Sequence, residues 1–225
     1  MACLTQQAFN TEIFGVPCYR IVDLDRTGLA SELPLLLQRP PVMIDAKVPA
    51  VRHETARWLR GMGFRSVCTQ IALHCDLTAV PAFSPSVTVG SRLALDDATI
   101  SAHAANLTGD RYSLVPAFDR THHDALYRQW IRNSISGRML VASQGRNFCS
   151  FREQDAQITI DLLSVLDKRQ GIGRQLVNAT LGYAARQHDS VRVVTECGNE
   201  VAWRLYLSCG FRIDGFTDCL HFVST

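Results

Sequence analysis

The chain has 225 residues, 47% of them hydrophobic, which is enough for one large or two small domains with a buried core. Lysine plus arginine number 23 against 21 for aspartate plus glutamate, and no basic run carries interleaved aromatics, so nucleic acid is not an expected partner. Met1 to Asn10 lacks a basic stretch leading into an apolar one, and no segment approaches about 18 uninterrupted apolar residues, so neither export nor a membrane span is expected and the location is read as cytoplasmic.

The first portion alternates strand and helix. Cys18 to Leu24 reads as extended, Ala30 to Leu37 as helical, Pro41 to Asp45 as extended, Val51 to Met62 as helical and Ser66 to Leu73 as extended. The run Val80-Pro81-Ala82-Phe83-Ser84-Pro85-Ser86 breaks the pattern, and a boundary between a domain 1–84 and a domain 85–225 is expected there. From Val87 the pattern predicts a strand, a helix over Asp96–Leu107, a helix over His122–Ile135, and strands at Met139–Ser143, Asn147–Glu153 and Ile158–Val165. A glycine-bearing turn and a long amphipathic helix from about Arg174 to Gln187 follow. A strand at Val191–Glu196, a helix at Glu200–Ser208 and two closing strands near Arg212–Gly215 and Cys219–Val223 end the chain. Strands and helices mix throughout, so the expected class is α/β or α+β, with a mixed central sheet and flanking helices.

One segment occurs twice. Arg57-Trp58-Leu59-Arg60-Gly61-Met62-Gly63-Phe64-Arg65 matches Arg204-Leu205-Tyr206-Leu207-Ser208-Cys209-Gly210-Phe211-Arg212, and Leu73-His74 matches Leu220-His221 at the same offset. Each copy reads as a helix stopped by a glycine, where a left-handed backbone is cheap, followed by a strand opening on Phe. The first copy has Leu59 where the second has Tyr206, and no glycine turn precedes it.

The turn Lys168-Arg169-Gln170-Gly171-Ile172-Gly173-Arg174 lies between a strand and a helix. The first amides of a helix have no internal partner and carry the positive end of its dipole, so glycines at that point build an anion site. Lys168, Arg169 and Arg174 add cations. The turn is too short for a Walker loop and lacks the third glycine of a dinucleotide fingerprint, so a different phosphate-bearing cofactor is wanted.

With Asn199, Tyr206 and Gly210-Phe211 behind it, this turn resembles that of the GCN5-related N-acetyltransferases (GNAT) over roughly the last three-fifths of the chain. The resemblance implies the GNAT acyltransferase fold, with a smaller related N-terminal subdomain, and acetyl-CoA as co-substrate. It assigns cofactor contacts to Leu163 and Val165 on the strand, to Lys168, Arg169, Gln170, Gly171, Ile172, Gly173 and Arg174 in the turn, and to Asn199. Tyr206 is implied as general acid to the leaving sulfur. Two positions depart from the pattern: Lys168 stands for the usual Arg or Gln, and Arg169 for a frequent glycine. A looser resemblance covers most of the chain, through Phe14-Gly15-Val16, Arg111-Tyr112, Tyr127-Arg128-Gln129-Trp130-Ile131-Arg132-Asn133 and Ser150-Phe151-Arg152-Glu153. It is to the dTDP-fucosamine acetyltransferase type, and implies an amino-sugar nucleotide as acceptor.

Transfer of an acetyl group to an amine needs a base for the ammonium, and Glu153, Asp161 and His221 are the candidates, with Glu153 carried beside Tyr206 as the catalytic pair. Arg111, Tyr127 and Trp130 are the candidate acceptor contacts. Tyr206 and Trp130 also fit core packing, and Asn199 also fits a helix N-cap. His122-His123 has no Cys or carboxylate at ligand spacing, so no metal is expected. The eight cysteines include no Cys-x-x-Cys and read as buried free thiols. Another small amine, an amino acid or a peptide N-terminus remains open as acceptor, as do a catalytically silent CoA-binding or partner-binding domain and a homodimer.

Overall fold

The computed structural model describes residues 3–77, 85–115 and 118–224. The expected boundary at residue 84 falls at the end of 78–84, outside the described residues. By its contacts the chain divides into two compact units, each assembled from separated segments. The first is Met1–Gln70, Gly109–Leu126 and Gly215–Thr225, and the second is Ile71–Thr108 and Tyr127–Asp214.

In the first unit the elements are β1 (Leu4–Gln6), α1 (Ala8–Phe14), β2 (Cys18–Ile21), α2 (Arg26–Leu37), β3 (Val42–Pro49), a 3-10 turn at Ala50–Arg52 and α3 (His53–Gly61). The early part of β4 (Arg65–Asp76) and the late part of β10 (Arg212–Ser224) complete it. β1 is antiparallel to β2, β2 is parallel to β3, and β3 is antiparallel to β10 over eight residue pairs, from Thr217↔Pro49 to Ser224↔Val42. Five consecutive buried residues at the start of β3 reflect a strand covered on both faces. Leu29 and Leu33 of α2, Ile44, Ala46 and Val48 of β3, Leu59 of α3 and Leu220 of β10 form its main core. β1 and α1, three and seven residues long, are too short to give a readable period and were absent from the sequence expectation.

The second unit holds the late part of β4 and then β5 (Thr88–Arg92), α4 (Asp97–Asn106), most of α5 (Arg120–Ile135), β6 (Ser136–Gln144), β7 (Asn147–Gln154) and β8 (Gln157–Ser164). These are followed by α6 (Ile172–Ala184), β9 (Ser190–Glu196), α7 (Glu200–Ser208) and the start of β10. β5 through β8 are an antiparallel meander, and β9 returns parallel to β8 through α6. The mixed sheet expected from the sequence is present, with parallel and antiparallel pairs side by side. One face carries α6 and α7 over Ile158, Ile160, Leu176, Val177 and Tyr206. The other carries α4 and α5 over Ile100, Ile131, Phe148 and Leu162.

Where two closing strands were expected, β10 is one continuous strand of 13 residues. Asp214-Gly215 reads as a turn, yet a glycine and its polar neighbours are tolerated in a strand whose other residues pair, and tertiary pairing overrides the local signal.

Candidate active site

The chain leaves β8 through Leu166 and Asp167, and an asparagine holds that exit. Asn147 Oδ1 accepts hydrogen bonds from the Leu166 and Asp167 amides at 2.8 and 3.1 Å, while its Nδ2 donates to the Gln144 carbonyl at 3.1 Å and to Asp167 Oδ2 at 2.9 Å. Arg146 grips the same carboxylate at 2.6 Å. Hydrogen bonds from Arg146 and Asn147 hold the Asp167 carboxyl down at about 2, so this acid is committed to the turn. On the α4 side, His103 Nδ1 lies 2.7 Å from Ser164 Oγ and its Nε2 2.9 Å from the Arg146 carbonyl. Burial pushes the His103 imidazole down, so it bridges these groups as a neutral ring. His103, Arg146 and Asn147 were not singled out from the sequence. The Gln144-Gly145-Arg146-Asn147 turn was the available signal.

The turn itself is exposed from Lys168 to Gly171. Lys168 Nζ donates to Asn106 Oδ1 at 3.1 Å. Arg169 adopts a left-handed φ of 64°, which explains why a glycine suits this position and why an arginine there costs about 1 to 2 kcal/mol. Gly171, at φ 72°, is the N-cap of α6 and offers no side-chain acceptor to the helix. The first amides of α6 therefore face outward with the dipole behind them. Gly173 answers a different need: a Cβ there would stand 3.1 Å from Leu205 Cδ2, so its absence lets α6 close on α7. Arg174 donates to Ser208 Oγ at 3.1 Å across the same two helices.

β8 and β9 pair only from Gln157↔Ser190 to Ile160↔Val193. Beyond that point the edge of β8 from Asp161 to Ser164 has no ladder to β9, and its peptide groups are available to a ligand. A bulge sits at the same place. Ser150 pairs with Leu162 and Phe151 with Ile160, so Asp161 is the extra residue on β8. Its effect is visible in the two cores: Ile158 and Ile160 join the α6 face, Leu162 joins the α5 face, and Leu163 and Val165 return to the α6 face. Asp161 faces α5, where its Oδ2 accepts from Trp130 Nε1 at 2.7 Å and from Ser134 Oγ at 3.3 Å. Tyr127 stacks on Trp130 with ring centroids 5.7 Å apart.

Tyr206 is buried in the same core as Leu163, Val165 and Phe211. Burial, with Cys149 and Cys209 nearby, pushes its phenol well above the ordinary value. Cys149 is also the residue facing Leu163 across the β7–β8 ladder, so Tyr206 and the freed stretch of β8 are neighbours. Asn199 is the N-cap of α7, its Oδ1 accepting from the Ala202 amide at 3.3 Å. The remaining candidates have other partners. Glu153 pairs with Ile158 at the hairpin end of β7, where its carboxylate accepts from Tyr183 Oη and meets His188 Nε2, both at 3.2 Å. Five residues separate Ile158 from Leu163, or roughly 16 Å along the strand. Arg111 and His221 belong to the first unit, where Arg111 Nε lies 3.7 Å and His221 Nε2 3.3 Å from the buried Asp45 carboxylate. Among the described residues no group of three or more His, Cys, Asp or Glu is placed to hold a metal, and no helix is long and apolar enough to cross a membrane.

Residues 149–211, from β7 to the residue before β10, match the model of the acetyltransferase (GNAT) family. Over 209 residues the chain is 26% identical to a dTDP-fucosamine acetyltransferase of Escherichia coli O6:H1, covering 83% of this chain and 85% of that one. A GCN5-related N-acetyltransferase from Sphaerobacter thermophilus superposes with a TM-score of 0.62 at 15% identity, over 98% of this chain and 76% of that one. A tandem GNAT protein from the clavulanic acid biosynthesis pathway gives 0.57 at 14% identity, over 93% and 76%. The uncapped helix, the parted strands and the buried tyrosine thus lie inside the segment that matches the GNAT acetyltransferase model, and the chain has the GNAT fold.

Proposed function

We propose that the chain transfers the acetyl group of acetyl-CoA to the primary amine of a nucleotide-linked amino-deoxysugar. The observation that carries the reading is the exposed, uncapped start of α6 next to a strand whose edge is released from its ladder, with Tyr206 in the core beside both. These residues fit a pyrophosphate-bearing thioester. The amides of Gly171 to Arg174, with Lys168, Arg169 and Gln170, suit the diphosphate, Leu163 and Val165 suit an extended arm, and Asn199, whose side-chain oxygen caps α7, offers its side-chain nitrogen for a further contact. Acetyl-CoA supplies the activated acetyl carbonyl. The chain supplies backbone donors for the oxygen that gains charge, each worth about 10² to 10³ in rate. Tyr206 supplies the proton for the departing thiolate. Its raised pKa keeps the phenol protonated throughout the neutral range, so the donor is present at every working pH.

The acceptor class rests on the relative that acts on dTDP-fucosamine and on the Tyr127–Trp130 stack next to the released strand. A panel assay tests it, with a dTDP-linked 4-amino-deoxysugar, free amino acids, simple primary amines and short peptides as acceptors. Turnover is expected for the nucleotide sugar. Robust turnover of peptides or free amines with none of the sugar would reject the acceptor, and calorimetric binding of acetyl-CoA without any turnover would identify a silent CoA-binding domain. Tyr206→Phe is expected to lower kcat at least about tenfold with acetyl-CoA affinity nearly unchanged, since only the acid is lost.

A further inference from the structure

We propose that Asp161 is the catalytic carboxylate that docks the acceptor's ammonium and takes up its proton, an inference that rests on the acetyltransferase reading above. Asp161 is the first residue of β8 beyond the last pair with β9 and is itself the bulged residue, so its position coincides with the opening of the strands. Its side chain is 9% exposed. A carboxylate so withdrawn from water attracts a cation more strongly than one on the surface. Among the described residues only one of its oxygens is engaged at hydrogen-bond distance: Oδ2 takes both Trp130 Nε1 and Ser134 Oγ. Oδ1 lies 3.9 Å from Arg152 Nη1, an ion-pair distance that leaves its lone pairs open to an N–H donor.

The nearby acids are otherwise employed. Asp167 is locked by Arg146 and Asn147, and Glu153 takes Tyr183 and His188 at the hairpin end. Trp130, on α5, is then a positioning residue, because its indole fixes the carboxylate in one orientation through a 2.7 Å bond.

The protons balance. An acceptor ammonium carries three N–H bonds and the amide product one. One proton passes to Asp161 Oδ1 and on to solvent, which frees the nitrogen lone pair to form the C–N bond. As the C–S bond breaks, Tyr206 protonates the sulfur, and the second surplus proton of the nitrogen restores the phenol.

The test is Asp161→Asn, which retains an oxygen for Trp130 and Ser134, with Asp161→Glu and Trp130→Phe beside it. Acetylation of the dTDP-linked amino sugar is followed from pH 6 to 10, and acetyl-CoA binding is measured by calorimetry. Asp161→Asn is expected to keep its acetyl-CoA affinity and its melting temperature, and to lose about 100-fold in kcat/KM at pH 7. That loss should shrink steadily toward pH 10, where the amine is already neutral in solution. Asp161→Glu should recover part of the rate, and Trp130→Phe should raise KM several-fold without altering the shape of the pH profile. A loss that is uniform in pH, or no loss, overturns the assignment while leaving the acetyltransferase reading intact. Wild-type protein that binds acetyl-CoA yet acetylates no amine in the panel overturns both. Should Asp161→Asn fail to fold, binding of the amino sugar against its 4-hydroxy counterpart to wild-type protein and Asp161→Glu decides: no preference for the amine overturns the assignment.

Discussion

The two units contain the same run of elements, a strand, a helix, a parallel strand, a helix stopped by glycine and a closing strand, and differ in how the ends are finished. In the second unit this is β8, α6, β9, α7 and β10, and in the first β2, α2, β3, α3 and β4. The glycine stops are nearly the same object. Phe64 N donates to the Leu59 carbonyl and Phe211 N to the Tyr206 carbonyl, both at 3.1 Å, and Gly63 and Gly210 have φ of 95° and 94°. The helix starts are opposites. Asp25 caps α2 and accepts from the Gly28 amide at 2.8 Å, placing a negative charge where an anion would bind, whereas Gly171 leaves α6 uncapped. The strand openings differ too. β2 and β3 stop pairing at Arg20↔Asp45, but there the Asp45 carboxylate is enclosed by Arg20 at 3.0 Å and His221 at 3.3 Å, each its ladder partner, with Arg111 at 3.7 Å. Burial alone would raise the Asp45 carboxyl, but Arg111, His221 and Arg20 outweigh it and hold the group well below the usual range. One frame therefore serves two ends. In one unit its polar opening is filled by the chain's own side chains, and in the other it is the opening proposed to take the ligand.

Exchanging the residues that distinguish the two copies sharpens this contrast. Tyr206→Leu installs the residue that the first unit carries at the same point of the same cap, so the fold should survive and kcat should fall by about 10² to 10⁴. The reciprocal Leu59→Tyr forces a larger side chain into a fully buried site and should cost about 1 to 3 kcal/mol of stability with kcat unchanged. Steady-state kinetics and urea melts on both variants check the pair. Equal loss of activity in both would show that the cap and not the phenol matters. A smaller effect is expected when the plug of α2 is copied onto α6. Gly171→Asp should weaken acetyl-CoA binding by about 10- to 100-fold, or roughly 1.4 to 2.7 kcal/mol. No atom lies within 4 Å of the added Cβ, and Gly171→Asn shares the left-handed backbone and the shape without the charge. If calorimetry finds the two variants alike, charge at the helix start is not what the site selects against.

How much of this was legible follows from the range of each interaction. Gly171, Gly173 and the helix behind them are local, and the sequence shows both the turn and the cations around it. The α7 stop, Asn199 and Tyr206 are equally local, and their spacing was readable. The bulge at Asp161 was not, because it depends on the register between β7 and β8, which no single strand encodes. Nor could the fate of Arg111 and His221 be read. Residues 66 and 176 positions away from Asp45 surround one carboxylate only once the sheet is assembled. Glu153 shows the converse case. Its place beside Ser150-Phe151-Arg152 made it resemble a site residue, yet pairing with Ile158 sets it at the hairpin end of the sheet.

Acid should separate the units as well. His103 is neutral and buried in the second unit, with its imidazole pushed below the ordinary value, so the unfolded chain binds that proton more readily than the folded one. The stability it contributes is whole at neutral pH and is lost as pH falls below about 6.5. Asp45 in the first unit has its carboxyl held far down, so its contribution is present above about pH 4 and is lost only in stronger acid. Hydrogen exchange at pH 7, 5.5 and 4.5 should show protection falling first around Ser164 and Arg146, while the amides flanking Asp45 keep theirs. Simultaneous loss in both regions would mean that the two buried groups do not set the order.

The smallest expected effect concerns Arg169, where two demands oppose each other. Its left-handed φ costs about 1 to 2 kcal/mol for a residue with a Cβ, and glycine removes that cost while adding about 0.4 to 1 kcal/mol of unfolded-chain entropy. Arg169→Gly should therefore stabilise the protein by about 0.5 to 1 kcal/mol, a rise of roughly 1 to 4 °C in Tm. The same change removes an exposed cation from the turn, so acetyl-CoA affinity should fall a few-fold, and the difference from wild type should fade as salt rises. Calorimetry at two ionic strengths, paired with a thermal melt, tests both halves. A gain in stability with a salt-sensitive loss of affinity would mean that the arginine is kept against its own backbone preference for the charge it brings to the turn. A fall in Tm would mean instead that its side chain anchors the turn, and the position would then belong with Asn147 and Arg146 as part of the scaffold.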